Sequence, residues 1–139
     1  MTLDLFMRLA GGLQLLQLPL MRLAGKKLDW GDELARLTPV NRRLFQAIGR
    51  GIVIYVMGTG VIVVVHAHAM THTPLGVSLC VLQAVAWSAR LGAQVFGIGA
   101  LIPPRARSFS RIATGVYASL TLSYLAASVW LFLAPSTPG

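Results

Sequence analysis

Carboxylates are scarce in this chain, four against twelve lysines and arginines. None falls inside the apolar stretch 75–102, where Arg90 sits near the middle with nothing of opposite charge beside it. No Asp, Glu, His or Lys lies between the ends of the three strongest hydrophobic segments, so no acid and base pair converges and no catalytic set can be named. A single cysteine, Cys80, excludes an intrachain disulfide. Its neighbours Leu79, Val81 and Leu82 suit a buried, inert thiol, and cysteine usage says nothing about compartment. No basic run is interleaved with aromatics, so a net charge of +8 and a pI of about 11.2 do not indicate nucleic acid. No small-x-small cleavage site follows the first apolar run, and a removable signal peptide is not expected. Neither the first three residues nor residues 135–139 carry an acylation or prenylation signal.

What the chain has in quantity is apolar surface. With 55% hydrophobic and 12% charged residues and a mean hydropathy of +0.70, 139 residues describe a membrane protein rather than a soluble domain. About 20 apolar residues cross a hydrocarbon core of about 30 Å. On that measure residues 3–23, 44–66, 75–102 and 112–133 are spans, in one all-α membrane domain covering 1–139, a compact four-helix bundle. The first span is the weakest, interrupted by Arg8, Gln14, Gln17 and Pro19. Arg22, Lys26, Lys27, Arg36, Arg42 and Arg43 crowd the first connection, and Arg105, Arg107 and Arg111 the third. Both loops are therefore expected on the cytoplasmic side, and both termini on the periplasmic side. In the first connection Asp29 is placed to cap a short helix, with Asp32 reaching back to it. Trp30, Leu34 and Leu37 share one face, so this helix is expected at the membrane interface. Thr38-Pro39 then starts the next helix, Thr as N-cap and Pro where its missing N–H costs nothing. Asp29, Asp32 and Glu33 read as solvated ion-pair partners of nearby arginines rather than hard-metal ligands.

Gln83, Trp87, Arg90 and Gln94 are spaced four, three and four apart and share one helical face, which should point inward. At 1.5 Å of rise per residue Arg90 lies about 22 Å from Leu75 and about 18 Å from Ile102, too far to snorkel fully. Arginine at the bilayer centre costs at least about 2.5 kcal/mol, so acceptors must be supplied. Gln83, Gln94, Gln14, Gln17, Tyr55 and Tyr124 are the nominees. A functional version of the stripe is a pocket in which Arg90 holds an anionic or carbonyl-bearing ligand, such as a lipid headgroup, a quinone or a carboxylate. The bland version pairs Arg90 with glutamines and helix carbonyls to fix packing.

His66, His68, Met70 and His72 crowd the second connection, a ligand set suited to copper, zinc or nickel. His68 and His72 meet only if the chain is helical there, and His66 and His68 only if it is extended. No carboxylate is near in sequence to orient a ring. All three imidazoles sit in one turn, which argues against haem between helices. A polar turn at the interface is the preferred account of them.

Gly115, Ser119, Ser123 and Ala127 repeat every four residues on the last span, matched by Ala89, Ala93 and Gly97 on the third and by Gly51, Gly58 and Gly60 on the second. Such faces allow close helix approach, within the bundle or onto another subunit.

Leu28-Asp29-Trp30, Glu33-Leu34, Leu37, Pro39 and Arg43-Leu44-Phe45, followed by Trp87, Arg90-Leu91 and Gln94, resemble a group of short bacterial four-span inner-membrane proteins of unknown function. The resemblance runs from about residue 10 to residue 133 and implies four-span topology in a bacterial inner membrane, without transferring an activity. Taken together, the first reading is a small non-catalytic accessory or scaffold subunit packed on a larger membrane complex or on further copies of itself. The second is a lipid- or quinone-binding protein using Arg90, with Gln83, Trp87, Gln94, Gln14 and Gln17 around it. The third is a metal site on the histidine turn.

Overall fold

The computed structural model of the protein describes residues 2–133. Residues 134–139, including the tail expected beside the N-terminus, lie outside the described part. Among the described residues there are helices and turns and no strand. Helix α1 spans Leu3–Lys27, α2 Trp30–Ala35, α3 Pro39–Val65, α4 Ala67–His72, α5 Pro74–Gly92 and α6 Arg107–Leu133. Beyond Gly92 the α5 backbone widens into a π-helical turn, Ala93–Ile98, and two short 3₁₀ turns lead to α6.

Local chemistry explains where most helices start. Thr2, Thr38 and Thr73 each place a side-chain oxygen on a free amide of the first turn, at 3.4, 3.4 and 3.1 Å, and Pro39 and Pro74 occupy the first helical position after two of them. The Thr38-Pro39 start expected from sequence is thus present, and Thr73-Pro74 repeats it. The capping box at Asp29 does not form: Asp29 adopts a left-handed backbone, φ 50°, and makes no side-chain cap bond. Capping requires extended φ and ψ to aim the carboxylate at the following amides. With only two residues between α1 and α2, the chain reverses through the left-handed region instead.

Three helices are long and apolar enough to cross a membrane: Pro39–Val65, Pro74–Ile98 and Arg107–Leu133. α1 matches them in length but not in composition. Its glutamines are turned inward, however, with Gln14 and Gln17 buried alongside Met7, Ala10 and Gly11. α1 packs mainly on α3 and also touches α4 and α6, while α5 packs on α6. The α1–α3 crossing is close at one point. A Cβ on Gly11 would stand 3.1 Å from the Gly60 carbonyl oxygen and 2.9 Å from Val64, and one on Gly60 would meet Leu15 at 2.8 Å.

The core collects Met7, Val63, Met70, Cys80, Leu120 and Tyr124, all essentially without exposure. A polar chain crosses it. Tyr124 donates to Gln14 Oε1 at 2.8 Å, and Gln14 Nε2 donates to Thr59 Oγ1 at 2.6 Å and to the Val56 carbonyl at 3.1 Å. Tyr55, whose carbonyl accepts from Thr59, donates in turn to Gln83 at 3.1 Å. Four helices, α6, α1, α3 and α5, are joined by this run of bonds. In lipid that gives a helix with polar residues a specific place in the bundle.

The small-residue stripe of α6 is mostly not an internal packing face. Gly115 and Ser119 are exposed and Ser123 is half-buried; only Ala127 is buried. The inward face carries Tyr117, Leu120, Thr121 and Tyr124 instead, because the large residues fill the interior left by small ones on α1 and α5. Ala89, Ala93 and Gly97 are exposed as well.

Candidate functional site

The stripe on α5 faces inward, with Gln83, Trp87 and Gln94 buried and Arg90 half-buried. Gln94 keeps this direction although it lies in the π-helical turn. The turn itself depends on glycine: the Gly99 amide bonds to the Gln94 carbonyl, and a Cβ at position 99 would sit 2.7 Å from that oxygen. Such widened turns recur at functional sites, where they re-aim a side chain. Gln94 is held by Ser110 of α6 at 2.9 Å.

Arg90 does not pair with any acceptor nominated from sequence. Gln14 and Gln83 are engaged with Tyr124 and Tyr55. The partner of Arg90 is Tyr117: Nη2 donates to the phenol oxygen at 3.3 Å, and the guanidinium carbon lies 5.2 Å from the ring centroid. Trp87 stacks with the same tyrosine, centroids 6.0 Å apart at 24°. A guanidinium over an aromatic face is favourable when desolvated. One hydrogen bond, however, uses little of a group with five N–H donors. The hairpin geometry carried the missed signal, since Arg90 and Tyr117 lie at comparable distances on either side of the α5–α6 connection.

Two cavities meet at Arg90. One, of about 160 Å³, lies between α1, α3 and α5 and is lined by Gln17, Met21, Tyr55, Val56, Trp87 and Arg90 among others. The other, about 90 Å³, runs from Gln17, Arg90 and Tyr117 towards Trp30, Leu28 and Ile102 at the α2 end of the bundle. Both walls are chiefly apolar, and neither is lined by Asp, Glu, His, Lys or Cys among the described residues. Gln17 Nε2 and Trp87 Nε1 are buried without a hydrogen-bond partner among the described residues. An unsatisfied buried donor costs about 1–3 kcal/mol, so each calls for an explanation. Thr121 Oγ1 is a third such atom, away from the cavities, and nothing in the structure explains it. Around Arg90, then, the unmet groups are N–H donors, and what would complete them is an acceptor.

The histidine turn is helical rather than extended, and its members separate. Met70 is 2% exposed and belongs to the core. His66 is the residue joining α3 to α4 and stays outside the cluster that the other two form. His68 and His72 stack, centroids 4.0 Å apart. Asp4, from the first turn of α1, stands 3.0 Å from His68 Nδ1 and accepts from Thr71 Oγ1 at 2.6 Å. The carboxylate missing from the local sequence is thus supplied by the chain's first helix.

Comparison with protein-family models, with curated proteins and with solved structures finds no match to this chain.

Proposed function

We propose that this protein binds a small amphiphile inside the membrane, holding an acceptor group of the ligand, a carbonyl, carboxylate or phosphate, at Arg90. The observation that carries the reading is a guanidinium with one hydrogen bond among the described residues, between two apolar cavities, beside the donors of Gln17 and Trp87 that are unpartnered among those residues. An intramembrane cation without a carboxylate is a functional feature by default. A lipid headgroup and a quinone ring both offer the required acceptors. Gln83 and Gln14 take a supporting part, bonding the helices that surround the cavity.

The setting we infer is a bacterial inner membrane crossed four times. α1 serves as the fourth span because its glutamines are hidden and its outward face between Arg8 and Arg22 carries Leu9, Leu16 and Pro19. The two arginines lie about 21 Å apart along the helix, within snorkelling reach of both interfaces. The excess of cations in the first and third connections sets both on the cytoplasmic side, α2 at that interface and the N-terminus on the periplasmic side. The resemblance to short four-span bacterial proteins supports the same arrangement.

The test is native mass spectrometry of protein extracted gently from its own membrane, wild type beside Arg90→Gln. Wild type is expected to carry a stoichiometric small molecule that the folded variant loses. A wild type carrying none, or a variant that keeps it, overturns the reading.

A second reading, an accessory or scaffold subunit packed on another membrane protein or on copies of itself, rests on different residues. Gly115 and Ser119 on α6 and Ala89 and Ala93 on α5 leave small-residue faces open, and α3 buries only Val56, Gly60 and Val63. The same extraction distinguishes it by the assembly with which the protein travels.

A further inference from the structure

We propose that Asp4, His68 and His72 form a binding site for a divalent transition-metal ion at the end of the bundle where α1 begins and α4 turns. The site is spatially separate from the Arg90 cavities, which lie towards the opposite end.

α4 is a single short helix, and it is held firmly. Met70 fills the core beneath it, Met70 N bonds to the His66 carbonyl and Thr73 N to the Ala69 carbonyl. On its far side Gly76 approaches Ala69 and Met70 so closely that no side chain would fit there. A helix fixed in this way puts His68 and His72, four residues apart, on one face, as in helical histidine pairs that hold zinc. Their rings lie 4.0 Å apart at 27°.

The third group comes from α1. Asp4 Oδ2 is 3.0 Å from His68 Nδ1, and Asp4 Oδ1 is 4.0 Å from His72 Nδ1. One ligand atom from each of the three residues falls within 4.8 Å of the other two. Bonds of about 2.0–2.2 Å in a tetrahedral site give ligand-to-ligand edges of about 3.4 Å. The imidazoles are 73% and 58% accessible, which leaves both rings room to turn towards that spacing.

The surroundings are arranged as metal ligands require. His72 Nδ1 lies 2.9 Å from the His68 carbonyl oxygen. In the tautomer that donates from Nδ1 to this acceptor, the Nε2 lone pair is left for a metal. Thr71 donates to Asp4 Oδ1 at 2.6 Å and so orients the carboxylate while Oδ2 faces His68. Two imidazoles and one carboxylate select a borderline cation, Zn(II), Cu(II) or Ni(II), over Mg(II) or Ca(II). The exposure of both rings leaves further coordination positions to solvent, which suits an exchangeable ion. Bound there, the ion links α1 to α4 across 64 residues of sequence.

The experiment uses the full chain in mild detergent, stripped with a chelator and free of any histidine tag. Zn(II), Cu(II) and Ni(II) are titrated against a chromophoric competitor, and Co(II) is added for its visible absorption. Wild type is expected to bind one ion per chain and to show a higher unfolding temperature with metal. His68→Ala and His72→Ala should each lose affinity by more than tenfold, Asp4→Asn by roughly tenfold, and His66→Ala should match wild type. Circular dichroism of each variant confirms that helix content is kept. Absence of stoichiometric binding in wild type overturns the proposal. So does an equal loss in His66→Ala, which would mean that the imidazoles bind metal as a loose surface set without Asp4.

Discussion

Arg90 and its neighbours present N–H donors with too few acceptors, whereas the α4 end gathers a carboxylate and two imidazoles, each with a potential ligand atom within 4.8 Å of the others. The first cluster lies among apolar walls and suits an anion or a carbonyl; the second is open and suits a cation. Both depend on α1, which contributes Gln17 to one and Asp4 to the other. Between those two positions Gln14 anchors the helix by bonds to α3 and α6. The two sites are therefore chemically opposite but mechanically linked through one helix, the helix whose composition looked least suited to the bundle.

The strongest way to break the comparison is to release α1. Gln14→Leu removes the bonds to Val56, Thr59 and Tyr124 and leaves their partners unmet. A loss of about 2–3 kcal/mol is expected in thermal unfolding in detergent, with ligand retention and metal affinity falling together. A fall in only one of them would show that α1 does not couple the sites. Next in size is the α1–α3 crossing. Gly11→Ala drives a Cβ against Val63, Val64 and the Gly60 carbonyl and should cost about 1–2 kcal/mol. Its neighbour Gly12 faces open space, so Gly12→Ala should stabilise by about 0.5 kcal/mol through helix propensity. Opposite signs at adjacent residues are the readout.

A smaller change separates the sites. Tyr117→Phe keeps the ring under the guanidinium but removes its one acceptor, costing about 0.5–1 kcal/mol. Ligand carriage should persist, because Arg90 then has another free donor, and metal affinity at the α4 end should not move. Least of all, Gly115→Val adds a side chain where nothing stands within 4 Å. It should change stability by less than about 0.5 kcal/mol. A change in the size of the extracted assembly would instead favour subunit docking on that face.

Much of this was legible from local chemistry. The apolar runs gave the helices at 39–65, 74–98 and 107–133 to within a few residues, since length and hydropathy are properties of the segment itself. Periodicity gave the inward direction of Gln83, Trp87 and Gln94. What was not legible were the partners. Tyr117 was passed over for Tyr55 and Tyr124, because depth on a neighbouring helix depends on the length of the connection and on the π-helical turn. Asp4 has no link to the histidine turn in the sequence, since nothing near it along the chain needs a carboxylate. The Asp29 capping box failed because the local pattern matched while the reversal between α1 and α2 demanded a left-handed residue.

By itself the sequence determined that this is a helical protein with apolar helices long enough to cross a membrane, where those helices run, and that one arginine lies within the apolar run of the second of them, because composition and periodicity act along a single helix. Only the tertiary structure decided that Tyr117 faces Arg90, that Gln17 and Trp87 leave donors unmet beside it, and that Asp4 meets His68 and His72. Those contacts join residues 27 and 64 positions apart, and their distances are set by how the helices cross, through small residues such as Gly11 and Gly60, and not by any local preference of the chain.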